Sequence, residues 1–187
     1  MNKEKILELI DYTIKNIWEN EIAYDYDDGW LLKEDTLKNS FYFHLRTKVG
    51  KIFDENDIRI FTEFRDDKFR KSGFIPDMVI AKIGWDGNTN YYGDDVEECL
   101  CVIEFKLKTG YNSANTIYND YQKLYDYTQK LGVDCKIYMA TIWEYEDDAT
   151  NWERKNAAWA KNHLTELNAS YEPGTTNMRF YVFEHKE

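Results

Sequence analysis

Leu100-Cys101-Val102-Ile103-Glu104-Phe105-Lys106-Leu107 is the stretch of this chain that constrains its fold most strongly. Its run of apolar residues predicts a β-strand over 99–108, yet Glu104 and Lys106 interrupt that run. Because side chains alternate along a strand, Glu104 and Lys106 should point to the same face of the sheet. Charged groups in such a run are costly to bury unless they pair with each other or bind a metal.

A second acidic residue stands in a similar position on the preceding predicted strand, 74–83, where Asp77 directly follows Pro76. A proline within a strand usually marks an edge or a bulge, and here it could aim Asp77. Asp77 is on the neighbouring strand of the expected meander and can reach the face that carries Glu104 if the register permits. Two converging carboxylates repel each other unless a cation lies between them. Oxygen ligands favour Mg²⁺ or Mn²⁺ over zinc.

The hydrophobic periodicity and the glycine positions predict the order of elements along the chain. Helices are expected over 3–20, 31–49, 114–131 and 149–168. Strands are expected over 57–64, 74–83, 99–108, 135–143 and 178–184. Gly50 and Gly132 are expected to end helices, and 24–29 is expected to be an acidic turn. A three-stranded meander followed by a right-handed crossover through a helix predicts an α/β fold with a mixed sheet and helices on both faces.

Composition narrows the class of protein. The 187 residues, 43% of them hydrophobic, suit one domain over 1–187, and no linker or repeat divides them. The net charge of −11 argues against a protein that simply coats DNA, although it does not exclude a nuclease. No apolar run is long enough to span a membrane, and the first residues lack the pattern of a signal peptide, so a cytoplasmic protein is expected.

Three cysteines lie in strand-like runs, and two of them, Cys99 and Cys101, should share the face opposite to Glu104. A zinc site would need four clustered cysteine or histidine ligands at loop spacing. Buried reduced thiols are therefore the favoured interpretation of Cys99, Cys101 and Cys135.

Pro76-Asp77 and Glu104-Phe105-Lys106 resemble the two half-motifs of the PD-(D/E)XK nuclease superfamily. The predicted elements over 31–143 are similar in order to the core of that family, with the N-terminal helix and the C-terminal helix and strand as additions. The resemblance implies a restriction-endonuclease-like three-layer sandwich. It also implies Mg²⁺-dependent hydrolysis of nucleic acid, with DNA as the expected substrate. Asp77, Glu104 and the carbonyl of Phe105 would bind the metal, and Lys106 would position the attacking water.

The same resemblance implies further polar residues on the helices around the motif. Glu34, on the helix before the meander, is the candidate because its helical phase matches Leu37, Phe41 and Leu45. Asp35 is less favoured, because it lies one residue further along the helix and points in a different direction. Glu63 on the first strand is another possible carboxylate behind the metal ligands. On the helix that follows the motif, Gln122 or Lys123 is expected to contact the site.

Other interpretations of these residues stay open. Glu104 and Lys106 could form an ordinary ion pair on a half-exposed strand, and Asp77 could be a solvated carboxylate near a turn. The basic segment 65–71 could grip a DNA backbone or form a solvated hairpin. The acidic connection 84–98 could be a substrate gate, a dimer contact or a surface loop without a specific role.

At the level of function, the main alternative is a catalytically inactive module that uses its acidic surface to bind a basic protein partner or to mimic DNA. A phosphoesterase of unrelated lineage is disfavoured, because no histidine-rich or serine or cysteine nucleophile motif is present. Cleavage of both strands of a duplex would favour a homodimer.

Overall fold

Six strands form one mixed sheet in which neighbours along the chain are also neighbours in space. In the computed structural model, which describes residues 1–65, 75–84, 95–108, 115–131, 134–144 and 158–186, the strands are β1 Ile58–Thr62, β2 Met78–Ile83, β3 Val96–Lys108, β4 Lys136–Trp143, β5 Leu164–Tyr171 and β6 Met178–Glu184. The first three strands pair antiparallel, β3, β4 and β5 pair parallel, and β6 returns antiparallel. The predicted α/β class and mixed sheet are confirmed.

The helices lie on both faces of this sheet. They are α1 Lys3–Asn16, a π-helical segment Ile17–Ile22, α2 Ala23–Asp27, α3 Glu34–Asp54 and α4 Asn115–Lys130. Buried residues of α1 and α3 pack on one face, where the ring centroids of Phe41 and Phe105 are 5.3 Å apart. On the other face, Tyr121 and Leu124 of α4 join the core formed with Val102 of β3. The prediction of a layer of helices on each side of the sheet is confirmed.

The first helices differ from prediction in their ends. The helix expected over 3–20 changes at Ile17 into the π-helical segment, which keeps Ile17, Trp18 and Ile22 buried. The acidic segment 24–29 is helical through Asp27 and turns only at its end, where Gly29 has a positive φ of 78°.

Gly50 does not end α3, which runs on to Asp54. Continuing the helix buries Phe53 against the sheet. That burial stabilises by about 2 kcal/mol, more than the roughly 1 kcal/mol that a helical glycine costs.

The prediction of a helix over 149–168 is wrong at its C-terminal end, which belongs to β5. Leu164 and Leu167 have helical spacing, but they lie on opposite faces of a strand that pairs with β4 and β6. Both faces of this strand are covered, and its apolar residues alternate with polar ones only from Leu167 to Tyr171, so the first part of the strand has no period-two pattern. Residues 149–157, the first part of that predicted helix, lie outside the described residues, as do Gly132, 66–71 and 85–94.

A register shift in the β2–β3 pair changes the faces of the cysteines. Ile80 pairs with Cys101 and Ala81 pairs with Cys99, so Leu100 is an extra residue in β3. Cys99 therefore lies on the α4 side, 3.4 Å from Cys135 between sulfur atoms, while Cys101 lies in the opposite core. The expectation that Cys99 and Cys101 share a face is wrong, because a β-bulge reverses the alternation. All three are buried free thiols, as predicted.

None of the helices in the described part of the chain combines the length and the apolar character that crossing a bilayer would require.

Candidate active site

Asp77 and Glu104 face each other across the β2–β3 pair. Met78 pairs with Ile103, so extending this antiparallel register by one residue brings Asp77 opposite Glu104. Side chains at opposite positions of a strand pair lie on the same face of the sheet. An Oδ2 atom of Asp77 accepts a hydrogen bond of 2.8 Å from the backbone N–H of Phe105, which fixes the carboxylate against β3.

Glu104 is buried and Asp77 is half-buried, and their two carboxyl groups oppose each other electrostatically. Glu104 is only 1% exposed, and burial together with the charge of Asp77 raises its pKa to about 8, against the effects of Lys123 and the Tyr127 hydroxyl. Burial also raises the pKa of Asp77, although the Phe105 N–H and the charge of Lys38 act in the other direction. Both groups can be ionised together at neutral pH only if more positive charge reaches them.

Lys106 lies on the same side of the sheet, held between two helices. Its Nζ is 3.0 Å from Glu34 Oε2 at the start of α3 and 3.3 Å from Asp120 Oδ2 on α4. Burial lowers the pKa of Lys106, but the charges of Asp120 and Glu34 outweigh that effect and raise it above its usual value. Lys106 is therefore an ammonium ion at neutral pH. It can donate hydrogen bonds and stabilise negative charge, but it cannot act as a general base.

Helix α4 supplies the groups nearest to Glu104. The Tyr127 hydroxyl donates to Glu104 Oε1 at 3.0 Å, and Lys123 Nζ lies 3.7 Å from Glu104 Oε2 and 3.0 Å from Asp120 Oδ1. Gln122 is exposed one position earlier on the helix. Of the two alternatives that the sequence left open, the structure brings Lys123 rather than Gln122 against Glu104.

A second lysine, Lys38, approaches Asp77 from α3. It is only 8% exposed and forms an ion pair with Glu63, the residue that follows β1. The backbone N–H of Glu63 donates to the carbonyl oxygen of Asp77 at 3.1 Å. Glu63 is therefore linked to the site by the ion pair of its carboxylate with Lys38.

The structure therefore brings together most of the residues that the sequence singled out. Asp77, Glu104, Phe105, Lys106, Glu34, Glu63 and Lys123 converge, while Gln122 faces solvent.

Three residues of the site were not predicted from the sequence, although the helical spacing of each could have identified it. Lys38 continues the stripe of Glu34, Phe41 and Leu45 on α3, so it interrupts an apolar face. Asp120 and Tyr127 lie on the stripe of Lys123 on α4, at spacings of three and four residues.

The site carries more negative than positive charge. Five carboxyl groups (Glu34, Glu63, Asp77, Glu104, Asp120) face three lysines (Lys38, Lys106, Lys123), which leaves a formal charge of −2 when all are ionised. No group of three or more histidine, cysteine, aspartate or glutamate side chains is arranged to hold a metal ion within the described ranges. One or two carboxylates are nevertheless the usual protein contribution to Mg²⁺, which keeps several of its waters.

In comparisons with known proteins, no family model, no curated protein and no solved structure matches the chain. What bears on its function is therefore the arrangement of Asp77, Glu104 and Lys106.

Proposed function

We propose that this protein hydrolyses phosphodiester bonds of nucleic acid, with DNA as the substrate and Mg²⁺ or Mn²⁺ as the cofactor, through a site of the PD-(D/E)XK type. One observation carries the proposal: Asp77, directly before β2, lies opposite Glu104 of the paired strand β3, and Lys106 lies two residues further along β3, on the same side of the sheet. The excess negative charge of this buried cluster supports a role for a divalent cation.

Each residue has a distinct part in the proposed reaction. Asp77, Glu104 and the carbonyl oxygen of Phe105 would hold the ion. When bound, the ion supplies a bound water of lowered pKa and polarises the phosphate. The ammonium of Lys106, fixed by Glu34 and Asp120, would orient the attacking water and stabilise the charge that develops on the phosphate oxygens.

The order of elements supports a restriction-endonuclease-like fold. A long helix, α3, precedes a meander of three antiparallel strands, and α4 then connects β3 to the parallel strand β4. Glu34 begins that first helix and contacts Lys106, as the resemblance to the family implies.

Cleavage assays with single- and double-stranded DNA and RNA in Mg²⁺ or Mn²⁺ test the proposal. Asp77→Asn and Lys106→Met should each lower the cleavage rate by at least about 100-fold, because each removes a group from the reacting centre. Lys82→Met is the matched control, since Lys82 is a half-exposed lysine on β2 whose partner is Glu97. Equal cleavage by the wild type and both site variants would overturn the proposal.

An inactive module that binds a protein partner is the second candidate. It is favoured by the pairing of all three site lysines with carboxylates, which partly neutralises the cluster without a metal. Calorimetry with Mg²⁺ separates the two candidates. The nuclease should bind the ion and release a proton at pH 7, because the pKa of Glu104 is about 8 and a ligand must be ionised. Equal heats from the wild type and Asp77→Asn/Glu104→Gln would favour the binding module.

A further inference from the structure

Lys38 is a buried lysine that the proposed chemistry does not use. It lies one turn after Glu34 on α3, and its neighbours along that face, Leu37 and Phe41, are fully buried. A buried ammonium is costly unless a negative group compensates it. Burial lowers the pKa of Lys38, but its hydrogen bond to Glu63 and the charge of Asp77 outweigh this, so the side chain stays charged.

The ammonium of Lys38 belongs to the same site as Lys106. Burial raises the pKa of the Asp77 carboxyl, and the charges of both lysines oppose that effect. Lys106 is fixed by two carboxylates, Glu34 and Asp120, which come from two different helices. The ammonium of Lys38, which extends from α3, forms an ion pair with the carboxylate of Glu63, and the backbone N–H of Glu63 donates to the carbonyl oxygen of Asp77.

Glu63 differs from the other carboxylates of the site in its exposure. Its side chain is 58% exposed, whereas that of Lys38 is only 10% exposed. Glu63 also has a positive φ of 51°, a backbone conformation that is uncommon for a residue with a side chain and that clusters at functional sites. Its backbone stays anchored by the N–H bond to Asp77, so its carboxylate can rotate into solvent without disturbing β1.

We propose that Lys38 binds a phosphate group of the nucleic acid. Before the substrate binds, the carboxylate of Glu63 pairs with the ammonium of Lys38, and the substrate phosphate then replaces this carboxylate. This inference rests on the proposed function. An oxygen of the phosphate takes the place of a carboxylate oxygen, so the buried ammonium keeps a negative partner throughout. The exposed carboxylate of Glu63 returns to water, where its charge is solvated, and this limits the cost of the exchange.

Binding of a fluorescently labelled DNA oligonucleotide, measured with Ca²⁺ in place of the catalytic ion and over a range of salt concentrations, tests the exchange. Glu63→Gln should tighten binding, because the competing carboxylate is lost. Lys38→Met should weaken binding by about tenfold and reduce the slope of log affinity against log salt by about 0.7–0.9, the value expected for one lost phosphate contact. Lys38→Arg should restore much of the slope. The double variant Lys38→Met/Glu63→Gln should bind like Lys38→Met.

The control lysine lies on the same helix as Lys38, and its partner lies in the π-helical segment. Lys48 of α3 forms an ion pair with Glu21 at 2.7 Å, so Lys48→Met and Glu21→Gln remove a lysine–glutamate pair of similar kind. These two variants should leave the oligonucleotide affinity and its salt slope close to the wild-type values. Thermal unfolding should show that Glu63→Gln remains folded, since the change is at an exposed side chain, and this keeps the test valid even if Lys38→Met unfolds.

The outcomes separate this inference from the proposed function. If the wild type cleaves DNA while Glu63→Gln and Lys38→Met bind the oligonucleotide with wild-type affinity and salt slope, the phosphate role of Lys38 is wrong and the nuclease stands. Weaker binding by Glu63→Gln would equally overturn the exchange. A wild type that neither binds nor cleaves nucleic acid would overturn both.

Discussion

Two buried glutamates occupy the same cross-strand row of the sheet, and their surroundings differ. Glu104 of β3 pairs in register with Met139 of β4, and Met139 pairs with Glu166 of β5, so both glutamates point to the α4 side. Two strand spacings, about 10 Å, separate them. Glu104 is 1% exposed and Glu166 is 0% exposed, so burial does not distinguish them.

The hydrogen-bond partners do distinguish them. Glu166 contacts His185 Nε2 at 2.7 Å through one oxygen and accepts from Asn168 Nδ2 at 3.1 Å through the other. Glu104 accepts from the Tyr127 hydroxyl through one oxygen, but its other oxygen is 3.7 Å from Lys123 Nζ, beyond hydrogen-bond distance, and the carboxyl lies opposite Asp77. A carboxylate whose two oxygens both meet donors is a structural element, whereas a carboxylate that faces another carboxylate is a place for a cation. A buried acidic residue therefore indicates a functional site only when the charge of the neighbouring side chains is considered as well.

Replacing each glutamate by glutamine gives the largest expected difference between them. Glu104→Gln should lower Mg²⁺-dependent cleavage by at least about 100-fold, because it removes a charged group that we propose as a ligand of the ion. Glu166→Gln should leave cleavage within a few-fold of wild type and should lower the free energy of unfolding by about 1–3 kcal/mol, since the new amide cannot accept on both sides. Cleavage assays and urea unfolding measure the two effects. Loss of cleavage in a folded Glu166→Gln variant would show that Glu104 and Glu166 do not differ in their importance for activity.

The local patterns were sufficient to predict the strands that carry the site. The apolar runs around Asp77 and Glu104 predicted two neighbouring strands of a meander, and the structure pairs them. The helical phase of Glu34 predicted that it faces the sheet, and its carboxylate contacts Lys106. These predictions succeeded because strand alternation and helical periodicity are short-range properties of the chain.

Contacts that depend on register or on distant elements were not predicted. The bulge at Leu100 follows from how β2 and β3 pair, and no local pattern shows it. The first part of β5, 164–168, was predicted to be helical, because the alternation of apolar and polar residues along this strand begins only at Leu167. The ion pair of Lys38 with Glu63 joins two elements 25 residues apart, and the sequence shows only that a lysine interrupts an apolar helical face.

The pH dependence of stability gives a second, smaller contrast. The pKa of Glu104 is about 8 in the folded protein against 4.5 as its ordinary value, so the folded state binds a proton that the unfolded state has lost between these pH values. Stability of the metal-free protein should therefore fall as pH rises from about 4.5 to about 8. Glu104→Gln removes this contribution, so its free energy of unfolding relative to wild type should rise with pH across that range.

Urea unfolding without metal at pH 5, 6.5 and 8 would measure this trend. Saturating Mg²⁺ should flatten the wild-type pH profile, because the ion takes the place of the proton on Glu104. Parallel profiles for wild type and Glu104→Gln in the absence of metal would show that Glu104 is ionised in the folded protein, and the contrast with Glu166 would then lose its electrostatic basis.

The smallest expected effect comes from a neutral donor to Glu104, the Tyr127 hydroxyl. The Tyr127 hydroxyl favours the ionised form of Glu104, so Tyr127→Phe should raise the pKa of Glu104 further. The pH at which Mg²⁺ binding is half-maximal should rise with it, by about one unit or less, the equivalent of one hydrogen bond. Calorimetry between pH 6 and 9 measures this midpoint. Tyr125→Phe, at a partly exposed tyrosine of the same helix, is the control and should leave the midpoint unchanged. A lower midpoint in Tyr127→Phe would mean that the hydroxyl stabilises the protonated acid, and Glu104 would then resemble Glu166 in having partners that hold it without a metal.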